Sequence, residues 1–233
     1  MALAWDELGQ TVLPYLSVSA IVSTIGLFFC GLSICQRIRA RGSTEGTGSA
    51  PFLLAFISCA FWLQYGLLKQ DNVVIFVNLV GFCLQTSYLC YYYSMTRQRR
   101  WLDRIIIAEL VIMLLMEYFV HHGNLKDNGL EPLGICCVFL NIANIGAPLL
   151  SVGEVIRTKS SESLPLPLCI ACFCVSLQWM LYGIIVDDFV IQFPNYVATF
   201  LSATQLSLFV IYPRKPHVVG KKYSRLSDDN EEL

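Results

Sequence analysis

The stretch Trp62-Leu-Gln-Tyr65-Gly66, followed by Asp71 and Asn78, returns later in the chain as Trp179-Met-Leu-Tyr182-Gly183, followed by Asp188 and Asn195. The separation is 117 positions at each of these residues. The same shift also pairs Ser43 with Ser160, Glu45 with Glu162, Phe56 with Phe173, Val73 with Val190 and Phe76 with Phe193. Chance does not keep one ungapped register over residues as uncommon as Trp and Asn. The sequence therefore contains an internal repeat.

The composition around this repeat is strongly apolar. Of the 233 residues, 55% are hydrophobic and only 14% are charged, and the mean hydropathy is +0.58. These values are too apolar for a soluble domain of this length and predict an integral membrane protein. The formal net charge of −1 creates no global field that would draw the chain to nucleic acid.

Seven apolar runs approach the roughly 20 residues that a helix needs to cross a bilayer. They are Val12–Cys35, Pro51–Leu68, Val73–Met95, Ile105–Val120, Leu130–Val152, Leu164–Val186 and Phe189–Tyr212. The fourth run is the weakest, because it is short and contains Glu109 and Glu117. The predicted fold is an all-α integral membrane protein with seven transmembrane helices, formed by two parallel three-helix repeats joined by a linker helix (3+1+3).

The distribution of Lys and Arg predicts the orientation of these helices. With the N-terminus outside, 14 of the 16 basic residues fall in inside segments, and only Lys69 and Lys126 lie outside. Because basic loops stay in the cytoplasm, we expect an extracellular N-terminus and a cytoplasmic C-terminus. We assign residues 1–100 to the first repeat with its N-terminal segment, 101–126 to the linker helix, 127–213 to the second repeat and 214–233 to a flexible cytoplasmic tail.

Paired Trp and Asn residues form the candidate binding site. Each lies about eight residues from the outer turn of its repeat, so that at a rise of about 1.5 Å per residue the two sit at similar depth on neighbouring helices. The pairs are Trp62 with Asn78 and Trp179 with Asn195. An aromatic face and an amide suit a neutral polyhydroxyl ligand, although membrane Trp also anchors interfaces and membrane Asn also joins helices. We add Ser58 to the predicted substrate-binding residues.

The doubled motif, with Arg157-Thr-Lys-Ser160 and Pro165 between its two copies, resembles the SWEET sugar transporters, particularly their animal branch. The resemblance covers about Gly26 to Arg214. It implies facilitated diffusion of mono- or disaccharides by alternating access. It also implies that the paired Trp and Asn residues contact the sugar.

The same resemblance implies hinges and an outer gate. Prolines near the cytoplasmic ends of the first two helices of each repeat are matched by Pro51, Pro148 and Pro165. One hinge position departs from the pattern, because the shift places Gly31 opposite Pro148, although Gly can also bend a membrane helix. The gate would join Tyr65 to Asp188, and Tyr65 is equally well placed as an interfacial anchor.

Other classes of protein fit the sequence less well. A seven-span receptor would carry Asp-Arg-Tyr after the third span and Asn-Pro-x-x-Tyr in the seventh, and the chain has neither. Amino-acid exporters of the PQ-loop type share the architecture and stay the alternative, although the chain has no Pro-Gln dipeptide. No enzyme is expected, because the spans hold no nucleophile, base and acid set. No cofactor, metal or disulfide is expected either, since the ten cysteines lie within or beside apolar runs.

The remaining expectations concern coupling, location and partners. The six repeat spans hold no acid, base or His at the depth of Trp62 and Asn78, which predicts a passive uniporter. We expect the plasma membrane, with Golgi or endosomal membranes as alternatives, and leave a homo-oligomer open. Tyr223-Ser-Arg-Leu226 in the tail resembles a tyrosine-based sorting signal, which predicts a clathrin adaptor as partner.

Overall fold

The computed structural model describes residues 2–122, 130–162 and 164–212. Within these residues the chain forms eight helices. They are α1 (Ala2–Phe28), α2 (Cys30–Arg41), α3 (Ala50–Lys69), α4 (Asn72–Met95), α5 (Arg99–His122), α6 (Leu130–Thr158), α7 (Leu166–Ile185) and α8 (Phe189–Ile211). Only Phe29 separates α1 from α2, so these two form one span. The chain therefore has seven spans, as predicted.

The helix boundaries repeat with the same shift as the sequence. α2 ends at Arg41 and α6 ends at Thr158, while α4 begins at Asn72 and α8 begins at Phe189, a separation of 117 residues in both cases. The two copies therefore fold alike, with α1–α4 as the first repeat, α6–α8 as the second and α5 between them. The predicted fold class, two parallel three-helix repeats and a linker helix, is confirmed.

The surface of the bundle suits a membrane. Five spans meet a criterion of length and apolar composition, namely Thr11–Arg41, Ala50–Lys69, Asn72–Met95, Leu130–Thr158 and Leu166–Ile185. α5 and α8 are also long, with 24 and 23 residues, and complete the seven. Large apolar side chains such as Leu150, Phe200 and Val210 are 78%, 72% and 89% exposed. Lipid chains are the surroundings in which such an outer surface is stable.

In each repeat, an aspartate in the turn between the last two helices caps the helix that follows. Asp71 caps α4, because its Oδ1 accepts hydrogen bonds from the backbone N–H groups of Val73 and Val74 at 2.9 and 3.1 Å. Asp188 caps α8 through equivalent bonds of 3.0 and 3.3 Å. Such caps satisfy backbone donors that the first turn of a helix leaves free. The repeated aspartates therefore fix where α4 and α8 begin.

Two glycines let the helices beside this turn approach each other closely. A β-carbon added at Gly66 would lie 3.0 Å from the backbone nitrogen of Ile75. At Gly183 it would lie 2.8 Å from the backbone nitrogen of Gln192. Backbone atoms cannot move aside as a flexible side chain can, so both positions require glycine.

The first span differs from the single helix predicted over Val12–Cys35. It is interrupted at Phe29, whose carbonyl oxygen accepts a hydrogen bond from the N–H of Leu32 at 3.0 Å. Gly31, a predicted hinge residue, lies just after this break. A β-carbon there would come within 2.5 Å of the Tyr88 ring. The close packing of α2 on α4 therefore requires glycine at this position, whether or not the helix bends there.

Three apolar clusters show where the repeats meet. One cluster contains side chains from both repeats, including Trp62, Tyr65, Val77, Leu133, Trp179 and Tyr182. A second cluster, around Phe52, lies within the first repeat and α5, and a third, around Val155, lies within the second repeat. Among the described residues, the apolar clusters therefore join the repeats toward the Asp71 and Asp188 turns and remain separate at the opposite end of the bundle.

Candidate functional site

A cavity of about 280 Å³ lies between the two repeats, and we call it the central cavity. Its lining includes all five residues that the sequence predicted to contact substrate, namely Ser58, Trp62, Asn78, Trp179 and Asn195. They come from α3, α4, α7 and α8, the two final helices of each repeat. The structure thus brings the predicted residues together around one space.

The two asparagines are held in the same way. Nδ2 of Asn78 donates to the carbonyl oxygen of Val74 at 2.9 Å, and Nδ2 of Asn195 donates to that of Ile191 at 2.7 Å. One amide hydrogen of each side chain is therefore bonded to its own helix. Within the described part of the chain, the other amide hydrogen and Oδ1 of each have no partner. These groups can donate to and accept from hydroxyls that enter the cavity.

The two indole rings are tethered across the boundary between the repeats. Nε1 of Trp62, on α3, donates to Oδ1 of Asn141, on α6, at 3.3 Å. Nε1 of Trp179, on α7, donates to Oγ1 of Thr24, on α1, at 2.8 Å. Each ring is therefore carried by one repeat and oriented by the other. A relative movement of the repeats would change the position of both rings.

Four polar residues of the lining were not predicted from the sequence, namely Thr24, Gln85, Asn141 and Asn144. Thr24 and Asn141 occupy equivalent positions under the shift of 117. Because their side chains differ, a comparison that looks for identical residues passes over them. Their equivalent positions in the two repeats are the signal that would have found this pair. A search by position, without regard to residue identity, detects it.

Two Tyr–Asp pairs lie between the central cavity and the turns. The Tyr65 hydroxyl lies 2.9 Å from both carboxylate oxygens of Asp188, to which it donates, and this is the contact expected from the resemblance. The Tyr182 hydroxyl donates to Oδ2 of Asp71 at 2.8 Å. Lys69 adds a charge to the first pair, because its Nζ lies 3.1 Å from Oδ2 of Asp188. Each pair joins one repeat to the other.

Each tyrosine of these pairs also packs on the indole ring of its own helix. The ring centroids of Trp62 and Tyr65 are 5.5 Å apart with an interplanar angle of 75°. Those of Trp179 and Tyr182 are 5.4 Å apart at 73°. This edge-to-face arrangement is favourable for aromatic pairs. It connects the lining of the cavity directly to the Tyr–Asp pairs.

The predicted hinge residues lie away from the cavity. Pro51 is in the first turn of α3, Pro165 immediately precedes α7, and Pro148 lies inside α6. The carbonyl oxygen of Pro148 accepts a hydrogen bond from Nε2 of Gln205 on α8 at 3.3 Å. Neither these prolines nor Gly31 line the cavity. Any effect of these residues on the cavity must therefore act through the positions of helices.

The residues that line the cavity include no Asp, Glu, Lys, Arg or His within the described ranges. The two acids of α5 lie elsewhere. Glu117 accepts a hydrogen bond from Nε2 of Gln64 on α3. Glu109 is buried, and its Oε2 has no partner among the described residues. Amides, hydroxyls and indole rings therefore dominate the chemistry of the cavity, which suits a neutral polyhydroxyl ligand.

Two predictions fall on the tail. The motif from Tyr223 to Leu226 and the cytoplasmic segment assigned to 214–233 lie outside the described residues.

Comparison with known proteins gives matches that span both repeats. A family model described as sugar efflux transporter for intercellular exchange matches residues 14–100 and 131–217. The chain is 41% identical over 206 residues to sugar transporter SWEET1 of Caenorhabditis elegans. This alignment covers 88% of this chain and 67% of that protein. It is 34% identical over 198 residues to sugar transporter SWEET1 of Homo sapiens, which covers 84% of this chain and 90% of that protein.

The fold also matches a solved structure. A eukaryotic SWEET transporter superimposes with a TM-score of 0.81 at 25% sequence identity. The superposition covers 87% of this chain and 97% of the other. The two relatives and the solved structure each match more than 80% of this chain.

Proposed function

This chain belongs to the SWEET family of sugar transporters, and on that premise we propose that it is a facilitative, bidirectional uniporter for mono- or disaccharides that works by alternating access. The observation that carries the proposal is the central cavity. Paired Asn and Trp side chains line it from both repeats, and the described lining includes no acid, base or His. The sugar crosses the membrane chemically unchanged, and the protein acts as a carrier and not as an enzyme.

The paired residues have complementary roles in this proposal. Asn78 and Asn195 bond to sugar hydroxyls through the amide groups that their own helices leave free. Trp62 and Trp179 stack on the apolar C–H faces of the ring, and Ser58 adds a hydroxyl. Each Trp is bonded to the opposite repeat. The affinity for the sugar therefore depends on the relative position of the two repeats.

In the proposed cycle, the cavity opens to one side of the membrane when the contacts between the two repeats on that side are lost. In this proposal the side of the turns is closed by the Tyr–Asp pairs and by the apolar cluster shared by both repeats, a role that their contacts across the repeat boundary support. Rupture of both pairs would open that side, while the separate clusters around Phe52 and Val155 would come together at the other. Pro51, Pro148, Pro165 and the glycine at Gly31 are the hinges that let the helices swing between these states.

The proposed orientation places the N-terminus outside and the C-terminus in the cytoplasm, in the plasma membrane. The asymmetry of 14 basic residues against two supports it. A tag fused to the C-terminus should react with its antibody only after cells are permeabilised. Reaction of that tag on intact cells would contradict the orientation.

The function is tested with purified protein in liposomes. We expect uptake of labelled mono- or disaccharides that saturates with sugar concentration and exceeds uptake by liposomes without protein. Labelled amino acids serve as the second substrate panel, because exporters of the PQ-loop type share the architecture. Uptake of an amino acid in the absence of sugar uptake would refute the proposal.

A further inference from the structure

A second cavity, of about 500 Å³, lies at the end of the bundle opposite the Tyr–Asp pairs. It is lined by the loop 43–49 before α3, by the end of α4 and by the start of α5. The side chains of Tyr92, Thr96, Arg97 and Trp101 contribute to the lining. We call it the loop cavity, and the proposed transport cycle makes no use of it.

The loop that lines this cavity is polar and is held in one shape. Its sequence is Ser43-Thr-Glu-Gly-Thr-Gly-Ser49. Arg41 bonds to it twice, because Nη1 donates to the carbonyl oxygen of Glu45 at 2.7 Å and Nη2 donates to Oγ1 of Thr47 at 2.8 Å. The Tyr92 hydroxyl donates to the carbonyl oxygen of Thr47 at 2.8 Å. These bonds organise the loop before any ligand arrives.

The equivalent loop of the second repeat begins with the polar residues Ser160, Ser161 and Glu162 and is apolar only at its end. Under the shift of 117, Leu164 takes the position of Thr47 and Pro165 takes that of Gly48. Leu164 is 2% exposed and packs in the cluster around Val155. Ser49 is likewise replaced by Leu166. Because both repeats fold alike, the fold itself does not require the hydroxyls of Thr47 and Ser49 at the end of this loop.

The loop cavity contains polar side chains that have no partner among the described residues. Ser49 is only 4% exposed and occupies the N-cap position of α3, yet its side chain makes no capping hydrogen bond. Serine at that position normally accepts a bond from the first turn of the helix. Arg97 is exposed and lines the same space. The Ser49 hydroxyl and the Arg97 guanidinium can therefore both donate to a ligand.

The described lining of the loop cavity contains one arginine, Arg97, and one acid, and the excess of positive charge lies in the segment that follows Arg97. Residues 97–104 contain four arginines and one aspartate. Within the described lining, the acid is Glu45, whose carboxylate opposes this positive charge. Arg41 bonds to the backbone carbonyl oxygen of Glu45 and not to its carboxylate. A positive surface of this kind raises the local concentration of anions.

We propose that the loop cavity binds the phosphate-bearing headgroup of an anionic lipid. Ser49 and Arg97 supply donors of the kind that phosphate oxygens accept in short, charge-assisted bonds. Trp101 is 54% exposed at the rim and is the residue type that favours the headgroup level of a membrane. The cavity volume of about 500 Å³ falls within the range of about 300–1,000 Å³ typical of small-molecule sites. In the proposed orientation this face meets the cytoplasmic leaflet, where anionic lipids are concentrated.

The test uses full-length protein purified in detergent and calorimetric titration with water-soluble dioctanoyl phosphatidylinositol bisphosphate. We expect saturable binding, and no comparable binding of dioctanoyl phosphatidylcholine. Arg97→Gln should weaken binding about fivefold, the contribution of one basic side chain near an anionic surface. Arg157→Gln is the matched control, because it removes the same charge at the end of α6, outside the lining of the loop cavity. It should bind like the wild type.

A second variant tests the cavity itself. A β-carbon at Gly48 meets nothing within 4 Å, so a side chain can begin there without a clash, and Gly48→Leu adds bulk at the lining of the loop cavity. It should also weaken binding. Wild-type binding by Gly48→Leu, an equal loss in Arg157→Gln, or equal binding of phosphatidylcholine would overturn the proposal.

Soluble inositol trisphosphate distinguishes the source of the phosphate. Tighter binding of the lipid than of the trisphosphate supports a lipid ligand. Equal binding of the two would overturn the lipid assignment in favour of a soluble phosphate compound.

Discussion

The hydroxyl of Tyr65 lies 2.9 Å from both carboxylate oxygens of Asp188, although the two residues are 123 positions apart. The equivalent pair, Tyr182 and Asp71, has a single bond of 2.8 Å. Lys69 lies 3.1 Å from Asp188, and the second repeat has an apolar residue at the position equivalent to Lys69. The two pairs are thus alike in geometry and unequal in charge. Because of this difference, mutations can separate the contributions of the two Tyr–Asp pairs.

In the proposed orientation the Asp71 and Asp188 turns face the outside, and we expect Tyr65→Phe to open that side more than Tyr182→Phe. Asp188 is only 6% exposed, and loss of a hydrogen bond to a buried charged group costs about 1.5–3 kcal/mol. The closed state would lose that stabilisation. Labelling of Cys59, which lines the central cavity, by a membrane-impermeant thiol reagent applied from outside should rise about tenfold or more in Tyr65→Phe. Equal labelling in wild type and Tyr65→Phe would refute a closing role for this pair.

We expect Asn78→Ala and Asn195→Ala each to weaken sugar transport about tenfold without reducing expression. Each removes a free amide from the cavity and leaves a sugar hydroxyl unpaired, which costs about 1–3 kcal/mol. Asn72→Ala is the matched control, because Asn72 begins α4 outside the central cavity. Saturation curves in liposomes measure the effect. Wild-type curves for both cavity variants would remove the asparagines from the binding site.

Thr24→Val should reduce sugar affinity through Trp179. The variant keeps the shape of the side chain and removes the acceptor of the 2.8 Å bond from Nε1, so the ring loses the contact that orients it. We expect about a fivefold weaker affinity, in line with the net contribution of about 1 kcal/mol for one neutral hydrogen bond. Thr204→Val is the control, because the Thr204 hydroxyl donates to the carbonyl of Phe200 on its own helix and does not line the central cavity. Equal affinities of the two variants would contradict this role.

The close approach of α7 and α8 predicts a stability effect. In Gly183→Ala the new methyl group would lie 2.8 Å from the backbone nitrogen of Gln192, and overpacking of this kind costs about 1–3 kcal/mol. The thermal midpoint of the purified protein should fall. Gly153→Ala adds the same methyl group inside α6, where nothing lies within 4 Å, and should leave the midpoint unchanged or raise it. A midpoint for Gly183→Ala at or above that of Gly153→Ala would contradict the packing account.

Residues that are identical in both repeats made the fold and much of the site predictable from the sequence. Trp62 and Asn78 recur at the same spacing because both copies build one cavity by the same packing. The aspartate caps recur for the same reason, whereas the contact between Tyr65 and Asp188 was expected from the resemblance to the SWEET family and not from the repeat. Residues that are identical in the two repeats thus occupy equivalent positions in the structure.

Features present in only one repeat could not be predicted in this way. Thr24 and Asn141 perform equivalent tasks with different side chains, so nothing in their identity marks them as a pair. The break at Phe29 occurs inside a continuous apolar run that does not mark it, and the close packing of Gly31 against Tyr88 is a contact between helices. The hydrogen bond between Glu117 and Gln64 likewise arises only when α5 docks on α3.

Counterflow in liposomes tests the central claim of uncoupled sugar transport most directly. Liposomes that contain the protein and unlabelled sugar are diluted into labelled sugar, with pH equal on both sides. The account predicts transient accumulation of label, whose size does not change when the outside pH is stepped by about one unit, a difference worth about 1.4 kcal/mol per coupled proton. Absence of counterflow would contradict this account. Sustained uphill accumulation driven by the pH step, in liposomes without preloaded sugar, would also contradict it and would make Glu109 and Glu117 the first residues to test.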